Sequence, residues 1–235
     1  MAVDPQSAVT VWAVFSAIGG SIVGTVLGGC VSYFLQQRNL KAAKTQRDED
    51  RFEIRRALGF SLFYKMIKIS SELNNSAFAI SESIKRGKAN GLAELFQMVQ
   101  APVPIADKIN FSPEEMALLL SVDVSLFNEM ASLDNLHNST VGLFDLYLRR
   151  RTAVMERFGA TMNGSIGITG LTQNDAAWLA PRAFELNELA RSMFEQALGG
   201  AKLTWEALEH LHSMLERDFG LKQKLERDPN VPSAH

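Results

Sequence analysis

The sequence has a single cysteine and no excess of charge of either sign. With Cys30 alone, the chain cannot form an intramolecular disulfide or a zinc site built from clustered cysteines. Its 24 Lys and Arg against 26 Asp and Glu give a formal net charge of −2, whereas nucleic-acid-binding domains usually carry a large basic excess. We therefore expect neither a disulfide framework nor a nucleic-acid partner.

Sequence motifs that mark catalysis are also missing. The chain contains no HExxH motif, nucleophile elbow, kinase motif set or zinc-finger spacing. The glycine-containing stretch 164–170 superficially resembles a phosphate-binding loop, but no strand pattern precedes it and no Lys-Ser/Thr pair follows it. We expect a loop between helices there, and we predict that the chain is not an enzyme and needs no cofactor.

Two acid–histidine pairs bear on a possible metal site. Di-iron bundle proteins place Glu-x-x-His on two helices and add carboxylates from two others. Glu209 with His212, and Asp134 with His137, have this spacing here. One of the acids is Asp, however, and no further Glu lies clearly on a predicted core stripe. We therefore expect no metal site and interpret His137 as a hydrogen-bonded core residue.

A long hydrophobic run is present only near the N-terminus. The 28 residues from Ala8 to Leu35 contain no charged side chain, and as an α-helix they would span about 42 Å, against about 30 Å for the bilayer core. A cleaved signal peptide has a basic start and a shorter apolar run, whereas this start contains Asp4 and no Lys or Arg. We predict a retained transmembrane helix over 8–35 after a short extracytoplasmic segment, 1–7; a cleaved signal or a buried soluble helix is the alternative.

The charges that flank this run predict its orientation. Arg38, Lys41, Lys44 and Arg47 follow it within ten residues that contain no acid, and such cations mark the cytoplasmic side. They are also suited to binding anionic lipid headgroups. We expect a single-pass protein of the cell (inner) membrane with residues 36–235 in the cytoplasm. Four N-x-S/T tripeptides, which would be glycosylation acceptors in a secreted domain, indicate the opposite side: Asn74, Asn110, Asn138 and Asn163.

Small residues recur at every fourth position of the predicted anchor. Residues four apart lie on one face of a helix, and small side chains there let two membrane helices approach closely. The pattern resembles the glycine zippers of some oligomeric membrane channels, although it is a packing motif and assigns no family. We predict a homo-oligomer, or docking on another membrane helix, through Ser16, Gly20, Gly24, Gly28 and Ser32.

Beyond the anchor the pattern is helical throughout. We predict a basic juxtamembrane helical stalk over 36–57, an irregular helical bundle of four or five helices over 58–220, and a polar tail over 221–235. No segment alternates with a period of two over a useful length, so the fold class is all-α. The first bundle helix has an apolar stripe at helical spacing: Leu58, Leu62, Met66, Ile69, Leu73, Ala77, Ile80 and Ile84.

Local signals divide the rest of the bundle. We predict a short helix over 92–100, a helix that starts at the capping box Ser112-Pro113-Glu114-Glu115, and a long helix that Asp123 caps and that ends at Gly159. A loop follows over 161–170. Another helix begins near Thr172, is broken by Gly199-Gly200, and is followed by a last helix over 204–219.

These patterns favour a membrane-anchored interaction or scaffold protein that self-associates through its transmembrane helix. Its expected partners are membrane lipid, further copies of the chain, and a cytoplasmic or membrane protein. An oligomeric pore or permeabilising effector gated by the cytoplasmic domain is the alternative, and a membrane-tethered enzyme is the third. The run Arg149-Arg150-Arg151 is interpreted as a solvated face, with an acidic partner surface or the membrane surface as its alternative.

Overall fold

Five helices and one short hairpin make up the described part of the chain. The computed structural model describes residues 5–100, 107–158, 161–163, 166–168 and 172–226, with side chains described over 32–100, 107–158 and 172–226. The predicted all-helical class is confirmed. The helices are α1 (Pro5–Ala89), α2 (Leu95–Met98), α3 (Pro113–Val122), α4 (Val124–Phe158) and α5 (Gln173–Phe219).

The predicted loop over 161–170 contains a small hairpin instead. Strand β1 (Thr161–Asn163) pairs antiparallel with β2 (Ile166–Ile168), with Thr161 opposite Ile168. Three residues a strand are too few to produce a visible period of two, which is why the sequence pattern predicted no strand here.

The chain divides into two compact units, Met1–Arg55 and Arg56–His235. In the first unit the described structure is α1, and every residue from Ser32 to Arg55 is exposed. The second unit contains the rest of α1 and all the other elements, and it holds the buried core.

The apolar stripe predicted for the first bundle helix is confirmed. Six of its eight residues are buried and the two end residues, Leu58 and Ile84, are half-buried. The helix ends at Ala89, and Gly91 follows with φ of 74°. The buried residues of the stripe are Leu62, Met66, Ile69, Leu73, Ala77 and Ile80.

The core of the second unit is formed mainly by three long helices: the part of α1 after Arg55, α4 and α5. Helices α1 and α4 run parallel, and α5 runs antiparallel to both. The core has two clusters. The first holds residues 62–73 of α1, 126–133 of α4 and 201–219 of α5; the second holds Ile80 of α1, 144–154 of α4 and 186–193 of α5. Residue numbers rise from the first cluster to the second in α1 and α4 and fall in α5, which gives the directions.

The helix starts that the sequence predicted are confirmed by their caps. Ser112 Oγ accepts from the backbone N–H of Glu115 over 3.2 Å, and Glu115 Oε2 accepts from the N–H of Ser112 over 2.6 Å. Asp123 Oδ1 accepts from the N–H of Leu126 at 3.0 Å. Thr172 caps α5 in the same reciprocal way with Asp175. Each cap satisfies backbone donors that have no partner within the helix.

The predicted break at Gly199-Gly200 is wrong, because α5 runs without interruption from Gln173 to Phe219. Gly200 is buried, and a Cβ placed on it would lie 3.1 Å from Leu73 and 3.2 Å from Leu136. The glycine therefore allows α5 to approach α1 and α4 closely. This packing offsets the helix-propensity cost of a glycine, about 1 kcal/mol relative to alanine.

Helix α2, in the connection between α1 and α4, packs against both of these helices. The helix covers four residues, shorter than the predicted 92–100. A Cβ on Gly87 would lie 3.2 Å from the Cα of Met98, so α2 packs directly on the backbone of α1. The buried Tyr147 hydroxyl donates to the carbonyl of Val99 at 2.8 Å, and burial raises the pKa of Tyr147 to about 12.

Candidate functional site

The predicted transmembrane packing residues fall mostly outside the described side chains. Ser16, Gly20, Gly24 and Gly28 lie on the backbone of α1, and nothing of their surroundings is described, whereas Ser32 is exposed. Across the part of the chain with described side chains, no helix is long and apolar enough to cross a membrane. The predicted span 8–35 overlaps that part only at residues 32–35.

The four predicted membrane-surface cations lie on α1 and are all exposed. Arg38, Lys41, Lys44 and Arg47 follow one another at intervals of three residues. On a helix of 3.6 residues per turn, each interval rotates the side-chain position by about 300°, which is about 60° short of a full turn. The four cations therefore spiral over about half of the helix circumference.

The same segment exposes large apolar side chains. Leu40 is 63 % exposed and Ile54 is 61 % exposed, and Tyr33, Phe34 and Leu35 are also exposed. The side-chain amide of Gln37 donates to the Tyr33 hydroxyl, one turn earlier, at 2.7 Å. These apolar side chains do not share one face of the helix, since Tyr33, Phe34 and Leu35 are consecutive and point in different directions.

Within the bundle, the most buried charged side chain is Glu115 on α3. Lys65 Nζ lies 2.7 Å from its Oε2, and Ser61 Oγ donates to its Oε1 at 2.6 Å. Burial by itself would raise the pKa of Glu115, but the hydrogen bonds from Lys65, Ser61 and the Ser112 backbone outweigh it and hold the pKa below its ordinary value. The carboxylate therefore attaches α3 to α1 as a satisfied buried charge.

His137 is a core residue, as the sequence indicated. It is 1 % exposed, and its Nε2 lies 2.8 Å from Oε2 of Glu72 on α1. Its Nδ1 is buried without a partner among the described residues. With its N–H on Nε2, the ring donates to Glu72 and leaves a lone pair, and not an N–H, unpaired at Nδ1. Asp134, one turn earlier on α4, has its pKa raised by burial.

The two acid–histidine pairs make separate contacts. Glu209 Oε1 accepts from the indole N–H of Trp205 at 2.6 Å, and His212 Nε2 lies 2.7 Å from the carbonyl of Gln223. The second pair lies on α4, where His137 contacts Glu72. Over the described ranges, no group of three or more His, Cys, Asp or Glu side chains could hold a metal ion.

Sequence reasoning missed a histidine placed between two carboxylates. His210 Nε2 lies 3.1 Å from Asp123 Oδ2, and its Nδ1 lies 3.2 Å from Glu129 Oε2. Only a doubly protonated ring can donate to both acids at once. Asp123 has its pKa lowered by the hydrogen bond from the Leu126 backbone and by the proximity of His210. These partners are 81 and 87 residues from His210 in sequence, so no local spacing could have indicated the cluster.

An arginine–tryptophan stack lies where the end of α4 meets the start of α5. The guanidinium carbons of Arg157 and Arg182 lie 4.2 and 3.9 Å from the centre of the Trp178 ring. Phe158 packs edge-on against the same ring at 5.6 Å. Such cation–π contacts stabilise an exposed site by about 0.5–1 kcal/mol each. The stack joins the two helix ends at the second core cluster.

The arginine run next to this stack forms ion pairs at the surface. Arg149 lies 2.7 Å from Asp145, and Arg150 lies 3.1 Å from Glu185 of α5. Both arginines are more than half exposed. Arg149 and Arg150 fit the predicted solvated face, whereas Arg151 is half-buried and its Nε is buried.

Comparison with known proteins finds no match, whether against family models, curated proteins or solved structures. What the chain does is therefore inferred from its own residues.

Proposed function

We propose that this chain is a single-pass, membrane-anchored helical interaction protein that self-associates through the small-residue face of its N-terminal helix. In this proposal residues 8–35 cross the inner membrane with the N-terminus outside, and the bundle that begins at Arg56 lies in the cytoplasm. The observation that carries the proposal is the 28-residue uncharged run directly followed by four cations without an acid.

The spacing of small residues supports self-association. Lipid tails gain nothing from a missing side chain, but a neighbouring helix does, because the two backbones then pack closely. On a helix, the spacing of Gly20, Gly24 and Gly28 would leave a groove with Ser16 and Ser32 at its two ends. A second copy presents the same groove, so two helices can pack along it.

The bundle supports a role in binding a protein partner. Its own core is complete, with two apolar clusters. On the outer surface of α1 it nevertheless exposes Tyr64 at 70 % and Phe78 at 49 %, with Ile67 between them at 42 %. Association of the anchors would raise the effective concentration of neighbouring bundles, and so strengthen binding of any partner that contacts two of them.

The first test is membrane association of the full chain. We expect it to stay with the membrane fraction after washing at high pH, which removes peripheral proteins but not spanning helices. Recovery of the full chain in the soluble fraction would overturn the anchor and everything proposed from it.

The second test compares two substitutions on opposite faces of the anchor. Gly24→Ile fills the proposed groove, so we expect a smaller oligomer in mild detergent by size-exclusion chromatography with light scattering. The opposite face of the anchor carries larger side chains, among them Ile22 and Val26. Val26→Ile adds one methylene on that face and is the control, which we expect to leave the oligomer unchanged. Equal behaviour of both variants would contradict the groove.

The same preparations test the pore alternative. A scaffold leaves liposomes tight to ions, with or without Gly24→Ile. A pore would release a trapped dye or dissipate a potassium gradient, and Gly24→Ile would abolish that release. Leakage that depends on Gly24 would therefore replace the scaffold proposal with the pore.

A further inference from the structure

We propose that His210 is a proton-dependent clamp that holds the junction between α3 and α4 against α5. The clamp consists of His210 on α5 and two carboxylates on the other side of the contact, those of Asp123 and Glu129. It lies within the bundle and is independent of the proposed anchor and of any second copy.

Asp123 is the single residue that separates α3 from α4. Helix α3 ends at Val122 and α4 begins at Val124. Oδ1 of Asp123 accepts from the backbone N–H of Leu126 at 3.0 Å and so caps α4, while Oδ2 lies 3.1 Å from Nε2 of His210. The contact with His210 therefore attaches the start of α4 to α5.

The histidine uses both of its ring nitrogens in this contact. Its Nδ1 lies 3.2 Å from Oε2 of Glu129, whose other oxygen accepts from the Ser125 hydroxyl at 3.2 Å. A doubly protonated ring has an N–H for each carboxylate, whereas a neutral ring has one N–H and one lone pair. Loss of one proton therefore leaves one carboxylate facing a lone pair and removes the positive charge from between the two acids.

The other charged groups near the clamp lie on α5. Glu206 is exposed one turn before His210 and adds a third acid to this side of the helix. Arg217 lies about two turns after it, pairs with Asp218 at 2.8 Å, and is near enough to Asp123 for the two charges to interact. The last turn of α3, residues 119–122, carries no charged side chain. Arg217 can therefore compensate Asp123 in part when the ring is neutral.

Glu129 depends more directly on the histidine. Among the described residues, its ion pair is the one with His210. The pair of His210 and Glu129 is therefore the part of the clamp that responds most to the proton on the ring.

The remaining attachments of α3 and α4 do not change charge near neutral pH. Although burial opposes it, the hydrogen bonds of Glu115 hold its pKa below the ordinary value, and the hydrogen bond from the Leu126 backbone lowers the pKa of Asp123. Histidine is the side chain that changes charge between about pH 5 and 8. Because the charged ring gains two partners in the folded chain, we expect the clamp to hold at mildly acidic pH and to weaken as the pH rises above neutral.

Unfolding of the full chain at two pH values tests the clamp. Urea unfolding in mild detergent, followed by circular dichroism, is compared for the original chain and His210→Gln at about pH 5.5 and about pH 8.5. Two partly exposed ion pairs together change an unfolding equilibrium constant by about three- to tenfold. We expect His210→Gln to raise the unfolding constant by that factor at the lower pH and by less than about twofold at the higher pH.

His212, two residues further along the same helix, provides the matched control. Its Nε2 donates to the carbonyl of Gln223 at 2.7 Å, and a ring that carries a proton on Nε2 makes this bond whether or not Nδ1 is also protonated. We therefore expect His212→Gln to change the unfolding constant by the same factor at both pH values.

A double-mutant cycle separates the ion pair from packing of the ring. Glu129→Gln keeps the shape of the side chain and removes its charge, so combining it with His210→Gln measures the coupling between the two residues. We expect the two effects on the unfolding constant to be coupled by at least about twofold at the lower pH and to be independent at the higher pH.

Three results would each overturn the clamp. They are an effect of His210→Gln that is the same at both pH values, a pH dependence no larger than that of His212→Gln, and independent effects of His210→Gln and Glu129→Gln at the lower pH. Any of them would mean that His210 packs against α4 without a proton-dependent role. The test measures only the bundle, so its outcome does not depend on whether residues 8–35 span a membrane.

Discussion

Residues 32–55 and the bundle that begins at Arg56 place one helix, α1, in two different environments. In the bundle, Leu62, Met66 and Ile69 are completely buried against α4 and α5. In the preceding segment, Leu40 and Ile54 are more than half exposed. One helix is therefore packed on other helices in the bundle and exposed in the segment before it.

The largest expected effect contrasts a leucine of each region. Leu211→Ala removes a completely buried side chain of the first core cluster, so we expect the free energy of unfolding of the bundle to fall by about 2–5 kcal/mol. Leu40→Ala removes an exposed side chain, and we expect a change within about 0.5 kcal/mol. Urea unfolding of the full chain in mild detergent, followed by circular dichroism, measures both.

A large loss from Leu40→Ala in the unfolding of the bundle itself would show that the segment packs on the bundle. That result would remove the contrast between the two regions.

An intermediate effect comes from the buried carboxylate that joins α3 to α1. Glu115→Gln leaves Lys65 without its ion-pair partner, and we expect a loss of about 1–3 kcal/mol near pH 7. Because the pKa of Glu115 is lowered in the folded chain, its contribution is present above the unfolded pKa of about 4.3 and is lost as the pH falls through the folded pKa.

The pH dependence provides the control for that prediction. The difference in unfolding free energy between Glu115→Gln and the original chain should shrink as the pH is lowered below about 4.3. A difference that stays constant down to strongly acidic pH would mean that the lost stability comes from packing and not from the charge.

The smallest effect concerns two neighbouring glycines of α5. Gly199 is exposed, and a Cβ added to it would meet no atom within 4 Å, whereas Gly200 faces Leu73 and Leu136. Gly199→Ala should raise the unfolding free energy by about 0.5–1 kcal/mol through helix propensity. Gly200→Ala should lose that gain to crowding, so its thermal midpoint should lie below that of Gly199→Ala. Equal midpoints would show that α5 does not need the close approach at Gly200.

These glycines also show where sequence reasoning succeeds and fails. The apolar stripe of α1 and the caps at Ser112, Asp123 and Thr172 were predictable because each depends on residues close in sequence. Gly199-Gly200 was misinterpreted as a break because the contact that holds α5 together there comes from Leu73 and Leu136, on two other helices.

The polar contacts between helices were likewise not predictable, because their partners are distant in sequence. His137 was identifiable as a core residue because it continues the helical spacing of the apolar residues Met130 and Leu133 of α4, but its partner Glu72 was not. The cluster of His210 with Asp123 and Glu129 depends on the antiparallel packing of α5 against α4, which no spacing within either helix encodes. Prediction therefore reached the helices and their caps, and it did not reach the contacts between distant helices.

The central claim is that the N-terminal helix anchors the chain and brings copies together. The most direct measurement is the number of copies per particle when the full chain is reconstituted in lipid nanodiscs in excess over protein, counted by single-molecule photobleaching. We predict two or more copies per occupied disc, falling to one with Gly24→Ile. Single copies of the original chain throughout, or a chain that does not enter the discs, would contradict the claim.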